Sequence, residues 1–372
     1  MKIAVIGANG QVGREVSLFL HVMGVDVVPV SRTEIGGVFL ERCGLTCRYG
    51  SVSDENDAIR VLEGCDLIVD FAHPTGLPSK IRKAVKSNID NIVRCAPQKT
   101  PYVYISTISA YGMRDEDSKM KNYFFPRSLY AGDKRHLERH ALSYKKKRDI
   151  YVLRLSQVHG ILQTVSHEFK EETASGNITL PFSANTDSYT VFCYSIAEAM
   201  INIAQGKERP GLYTFVSTPT WSWGEVYTYW AKQCGRKLEI SFQGIVDSDG
   251  SHFRFFRNLA NFLLTPLIRL GIKHRQLILN YLLVGNYWFQ ERMQAEYLRR
   301  RASAEMSQGT NSEESRKFQI GKIPGKRLSS LTDSRLTMEE ATLAVSLIID
   351  SAAPSFDKIT LSKIESEESN EL

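Results

Sequence analysis

The chain has 372 residues and a net charge of +6, with 42% hydrophobic and 24% charged residues, an ordinary balance for a globular protein. No window holds the roughly 18 uninterrupted apolar residues of a membrane-spanning helix, and Met1-Lys2 runs into the apolar residues 3–6 without the pattern of a secretory leader. Six cysteines, of which only Cys43 and Cys47 lie close together, make neither a disulfide framework nor a zinc site; reduced thiols, no metal and a cytoplasmic location are expected.

In chain order, residues 1–160 alternate apolar runs rich in Val and Ile with stretches of helical period. The runs cover residues 3–6, 25–30, 67–71, 102–105 and 151–155, and helices are predicted over 12–23 and 57–62. Continuous apolar strands separated by helices predict a parallel sheet covered on both faces, a doubly wound, Rossmann-like α/β domain. Residues 161–250 read as a smaller substrate-binding portion with strands returning to that sheet. Residues 212–216 are such a strand, and 222–235 form a helix with aromatic residues on one side. Residues 251–350 read as a mostly helical extension with a polar linker at 307–317 and a last helix at 337–349, and 351–372 as an acidic, disordered tail. The basic excess is local, since nine Lys/Arg stand against Glu291 and Glu296 between Ser251 and Ala302.

Ile6 ends the first strand, and Gly7-Ala8-Asn9-Gly10-Gln11-Val12-Gly13 leads directly into the first helix. Glycines there allow a tight turn and a close backbone approach to a pyrophosphate, which the helix N-terminus attracts. Gly7, Asn9, Gly10, Gln11, Val12 and Gly13 are therefore the expected dinucleotide contacts. The second strand ends in Ser31-Arg32, where an acidic residue would take the ribose hydroxyls. An Arg suits a 2′-phosphate, so NADP(H) is the expected cofactor and NAD(H) the alternative.

Tyr130 and Lys134 lie four residues apart on one face of a predicted helix. A nearby ammonium ion favours tyrosinate and lowers a phenol pKa from about 10. Upstream, the strand at 102–105 continues as Ser106-Thr107-Ile108-Ser109-Ala110-Tyr111-Gly112. The Gly-x-x-Gly-x-x-Gly turn, the hydroxyl-rich strand end and Tyr-x-x-x-Lys, in that order, resemble the extended short-chain dehydrogenase/reductase family (NAD-dependent epimerase/dehydratase-like) over residues 1–245. The resemblance implies that Thr107 hydrogen-bonds the substrate oxygen, with Ser106 and Ser109 as alternatives. It also implies that Tyr130 exchanges the proton and that Lys134 assists it, both of them touching the cofactor. Asp70-Phe71-Ala72-His73 resembles the strand end bordering the cofactor, which implicates Phe71, Ala72 and His73. The segment 153–160 resembles the strand before the substrate region, which implicates Val158. His73 and His159 are expected to pack or to offer backbone contacts.

Ile108-Ser109 follow Thr107 where a 4,6-dehydratase of this family would carry Asp-Glu, so that reaction is set aside. The resemblance then implies an epimerase or ketoreductase that exchanges hydride at a carbinol or ketone carbon of a nucleotide-linked sugar. One departure is the segment Asn185-Thr186-Asp187-Ser188-Tyr189, which lacks the Arg such enzymes place there for the pyrophosphate. A reductase of a lipid-like ketone is the second reading, in which Trp221, Trp223, Tyr227, Tyr229 and Trp230 would line an apolar pocket, although aromatic residues at helical spacing are more often core. A non-catalytic dinucleotide sensor is the third, and the intact Tyr130 and Lys134 argue against it. A homodimer is expected, and no nucleic-acid partner, because no recognition motif accompanies the charge. Residues 253–302 read as helices packed on the core or on a second subunit, with an anionic membrane surface as the alternative contact.

Overall fold

The computed structural model of the protein describes residues 1–74, 78–110, 129–180, 182–242, 328 and 336–352. Seven strands form one sheet: β1 (Lys2–Ile6), β2 (Asp26–Ser31), β3 (Arg48–Tyr49), β4 (Leu67–Asp70), β5 (Tyr102–Thr107), β6 (Ile150–Leu155) and, later in the chain, β10 (Gly211–Phe215). Their order is β10-β6-β5-β4-β1-β2-β3, and every pair is parallel. The chain reverses its winding between β1 and β4, the place where open parallel sheets bind ligands at the carboxyl ends of their strands.

Successive side chains of these strands point to opposite faces, and both faces are apolar. Ile3, Val5, Val103, Ile105, Leu153 and Leu155 enter one core. On that side lie α1 (Gln11–Val22), α7 (Cys193–Ala204) and α9 (Met338–Ala352). Ala4, Ile6, Ile68, Tyr102, Tyr104 and Val152 enter the other core, covered by α3 (Glu55–Leu62), α4 (Pro78–Cys95) and α5 (Leu129–Ser143). The helix α2 (Glu34–Arg42) follows β2. The uninterrupted apolar runs thus reflect strands buried on both sides, which is the doubly wound sheet expected from the sequence. β3 escaped prediction because two edge residues carry no periodic signal.

The later part of the chain is built on short elements: β7 (Val158–His159), α6 (Thr164–Glu172), β8 (Asn177–Leu180), β9 (Val191–Phe192), α8 (Trp223–Gln233) and β11 (Glu239–Phe242). β7 pairs with β9 and β8 with β11. β10 returns to the main sheet beside β6, as the pattern of residues 212–216 predicts. Ser222 caps α8 in a reciprocal box with Glu225, so the helix starts where the sequence places it. Trp223, Tyr227 and Trp230 are almost fully buried among Phe169, Leu180 and Phe192. These aromatic side chains are core, as their helical spacing favours, and do not line an apolar pocket. No described helix is long and apolar enough to cross a membrane. The basic segment 253–302, the linker at 307–317 and residues 353–372 of the acidic tail lie outside the described residues.

Candidate active site

The β1–α1 turn has the geometry of a phosphate cradle. Gly7 sits at φ +75°, and a Cβ on it would come within 2.8 Å of the Ala72 amide nitrogen at the end of β4. A Cβ on Gly13 would lie 2.5 Å from the Gly7 carbonyl oxygen, so only glycine lets α1 pack this tightly on the turn. Thr33 and Asp54 accept backbone N–H groups at the starts of α2 and α3, but no side chain caps α1 at Gly10. Its first-turn amides therefore carry the unsatisfied donors and positive dipole end that suit an anion.

A cavity of about 410 Å³ opens on this turn. Gly7, Asn9, Gly10, Gln11, Val12, Gly13, Arg32, Phe71, Ala72 and His73 line it, all of them residues singled out in the sequence. Gly50, Ser51, Val52, Ser53, Pro74, Ala84 and Asn88 also line it, and sequence reasoning missed these. The loop 51–53 follows the two-residue β3 and is held by side chains distant in sequence. Asn91 donates to the Val52 and Ser53 carbonyls, and Asp57 accepts the Ser51 amide. Four of the expected contacts, Ser31, Val158, Tyr130 and Lys134, are not on the cavity wall. Ser31 is buried and its hydroxyl donates to the Thr33 carbonyl at 2.9 Å. Val158 pairs with Val191 in the small β7–β9 sheet and packs on the core.

The catalytic candidates gather at the carboxyl end of β5. Lys134, on α5, is buried and donates to the Ile105 carbonyl at 2.9 Å, two residues before Thr107. Its ammonium lies 5.0 Å from the Tyr104 ring centroid and 5.9 Å from that of Tyr130. Burial pulls the Lys134 pKa down to about 8, against the pull of Asp70 and Glu138. Tyr130 is 43% exposed and stands edge-on to His73, 5.1 Å between centroids. Partial burial raises its pKa. The lowering expected from a neighbouring ammonium is not realised here, because Lys134 is turned onto the Ile105 carbonyl. His73 is pushed down to about 4 by burial and by Lys134, so it is neutral near pH 7. Thr107 accepts the Ser109 amide at 3.2 Å through its oxygen, which leaves its hydroxyl hydrogen to donate.

The alternatives to these residues have other work. Ser106 is buried and donates to Glu138 at 2.6 Å, and Glu138 in turn receives two hydrogen bonds from Arg154. His159 is fully buried and accepts the Trp230 indole N–H at 3.0 Å, the packing role expected of it. Ser188, in the segment that lacks the expected Arg, is also fully buried and bonded to Thr190 and Trp221.

The model of a family described as "NAD dependent epimerase/dehydratase family" matches residues 3–178. No curated protein matches the chain in sequence. Among solved structures, UDP-N-acetylglucosamine 4-epimerase from Bacillus cereus is 21% identical, with 66% of this chain and 85% of that one covered and a TM-score of 0.50. UDP-glucose 4-epimerase of Thermus thermophilus, complexed with NAD, is 18% identical over 66% and 88% of the two chains, TM-score 0.47. The Bordetella bronchiseptica enzyme WbmH, in complex with NAD+, is 22% identical over 66% and 86%, TM-score 0.46.

The expectation of NADP(H) is overturned by the NAD dependence of the family whose model matches residues 3–178. The geometry supplies a physical reason. A 2′-phosphate needs several donors, but the Ser31 hydroxyl is spent on Thr33 and only the exposed Arg32 remains of the expected pair. With the phosphate cradle, the β5 hydroxyls and the Tyr130–Lys134 pair in the matched segment, residues 3–178 of this chain match the NAD-dependent epimerase/dehydratase family.

Proposed function

We propose that the protein is an NAD(H)-dependent epimerase or ketoreductase acting on a nucleotide-linked sugar. The observation that carries the reading is the cavity running from the uncapped α1 turn to Phe71, Ala72 and His73, where the His73 ring meets Tyr130. Bound there, the nicotinamide dinucleotide supplies the hydride acceptor or donor. Gly7, Gly10, Gln11, Val12 and Gly13 seat the diphosphate on backbone N–H groups, and Arg32 and Ser51–Ser53 border the adenosine end. Thr107 donates a hydrogen bond to the substrate oxygen as its charge changes, and Tyr130 takes or returns the proton of that oxygen. Lys134 holds positive charge beside Tyr130 at the floor of the site.

The nucleotide-linked sugar is supported by the family and by the UDP-sugar epimerases named above. The described cations adjoining Thr107 are committed elsewhere, Arg135 to the Ala110 carbonyl and Arg154 to Glu138. The substrate diphosphate is therefore assigned to none of them. Residues 1–160 would bind the dinucleotide and 161–250 the substrate, and the active form would be a homodimer. Contact of residues 253–302 with an anionic membrane surface remains the alternative to their packing on the protein.

The test begins with denaturing the freshly purified protein and identifying any released dinucleotide, followed by titration of the apoprotein with NAD and NADH. Stoichiometric NAD, or binding of either form, is the expected result. An apoprotein that binds neither overturns the reading. On UDP-sugars, Tyr130→Phe is expected to lower turnover about 10²–10⁴-fold while leaving NADH affinity unchanged; unchanged turnover refutes the assignment of Tyr130.

A further inference from the structure

A second charged residue is buried beneath the catalytic pair. Asp70 ends β4, is 1% exposed, and lies opposite Tyr104 in the β4–β5 register. Its carboxylate accepts the Ala72 amide and the Tyr102 hydroxyl, both at 2.9 Å. Tyr104 carries the Lys134 ammonium over its ring, and its own hydroxyl is buried without a hydrogen-bond partner among the described residues. The array therefore runs from Asp70 through the two β5 tyrosines to Lys134, in a dry part of the core where charges interact strongly.

The other charges around Lys134 are already neutralised or lack charge. Glu138, on its own helix, is paired with Arg154 of β6. Asp133 accepts the Arg82 Nε of α4 at 2.7 Å. His73 is neutral, Tyr130 is a phenol, and burial holds Tyr102 and Tyr104 protonated. Asp70 makes no direct ion pair among the described residues; burial raises its pKa, and the Ala72 amide, the Tyr102 hydroxyl and the Lys134 ammonium act against that rise by favouring the carboxylate.

We infer that Asp70 is a positioning residue, the counter-charge that keeps Lys134 an ammonium ion in its buried niche, with Tyr102 fixing the carboxylate. The inference deepens the proposed function and rests on its placement of Lys134 beside Tyr130. An uncompensated lysine buried this fully would shed its proton at neutral pH. A neutral amine could add no positive charge beside Tyr130 or a dinucleotide. Asp70 meets that demand without contacting substrate or cofactor.

The experiment measures Lys134 directly on the full-length protein. Its rate of acylation by acetic anhydride, read by peptide mass spectrometry against pH, reports the midpoint of its deprotonation. The wild-type midpoint is expected at about 8. In Asp70→Asn it falls by about one unit or more, and in Tyr102→Phe by less in the same direction. Melting curves confirm that each variant is folded, and a purely structural role would lower the melting temperature without moving the midpoint. An unmoved or raised midpoint in either folded variant overturns the inference. NADH titrations over roughly pH 6 to 9 separate the two readings. Absence of NADH binding with a shifted midpoint refutes the dinucleotide assignment alone. NADH binding with an unmoved midpoint refutes the role of Asp70 alone.

Discussion

The Glu138–Arg154 pair anchors the helix that carries Tyr130 and Lys134 to the sheet, and its removal has a calculable cost. Glu138 is 1% exposed and Arg154 7%. The carboxylate receives Arg154 Nε at 2.9 Å, the second guanidinium nitrogen at 2.7 Å and the Ser106 hydroxyl at 2.6 Å. Glu138→Gln preserves shape but removes the charge and turns an amide N–H₂ towards donors. The guanidinium is then left buried without its counter-ion, which costs about 3–5 kcal/mol. At about 2–4 °C per kcal/mol for a domain of this size, the melting temperature should fall by roughly 6–20 °C. Glu138→Leu combined with Arg154→Met replaces the pair by apolar volume and should recover most of the loss, because the desolvation penalty of both charges disappears with them. Urea unfolding of the wild type, Glu138→Gln and the double variant checks this through midpoints at constant slope. A loss below about 1 kcal/mol in Glu138→Gln would refute the reasoning. So would a double variant no more stable than Glu138→Gln.

Three further outcomes follow from the same geometry. Gly13→Ala drives a Cβ into the Gly7 carbonyl and should weaken NAD binding by about 1–3 kcal/mol, roughly 5- to 150-fold, by calorimetric titration; an unchanged dissociation constant would show that the turn does not seat the dinucleotide. Thr107→Val should lower turnover about 10- to 10³-fold while Thr107→Ser retains most of it, since only the hydroxyl donor matters; equal losses in both variants would remove Thr107 from the chemistry. Lys134 has a folded-state pKa of about 8 against an unfolded value of 10.5, so the unfolded chain holds this proton more tightly. Its burial therefore reduces stability below pH 8, by about 3 kcal/mol, and the deficit disappears as pH rises from about 8 towards 10.5. Lys134→Met should accordingly be more stable than wild type at pH 7, with the difference shrinking above pH 8, as read from denaturant unfolding at each pH. A difference independent of pH would contradict the assigned shift.

The amino-acid sequence by itself determined the strands buried on both faces and the first phosphate-binding turn. Both depend on neighbours in the chain: apolar continuity in β1, β4, β5 and β6, and glycines placed between a strand and a helix. The same locality made α8 and α9 legible, through their caps and their helical period. What the sequence did not reach rests on contacts between distant residues. β3 and the loop 51–53 exist because Val30 and Ser31 lend an edge and Asn91 holds two carbonyls. The helical spacing of the α8 aromatic residues favours core, but that Phe169 and Phe192 are the side chains that pack on them is a tertiary fact. Arg32 at the end of β2 suggests a 2′-phosphate, but the neighbouring Ser31 hydroxyl, which could have helped hold one, is taken by the Thr33 carbonyl. The Tyr-x-x-x-Lys spacing placed both side chains on one face, yet whether the ammonium acts on the phenol depends on the Ile105 carbonyl and on Asp70, two strands that meet α5 only in the folded chain. Residue identity and short spacing set what each group is able to do; the tertiary structure decided which groups remain available, because in a close-packed interior every buried donor and charge must find a partner.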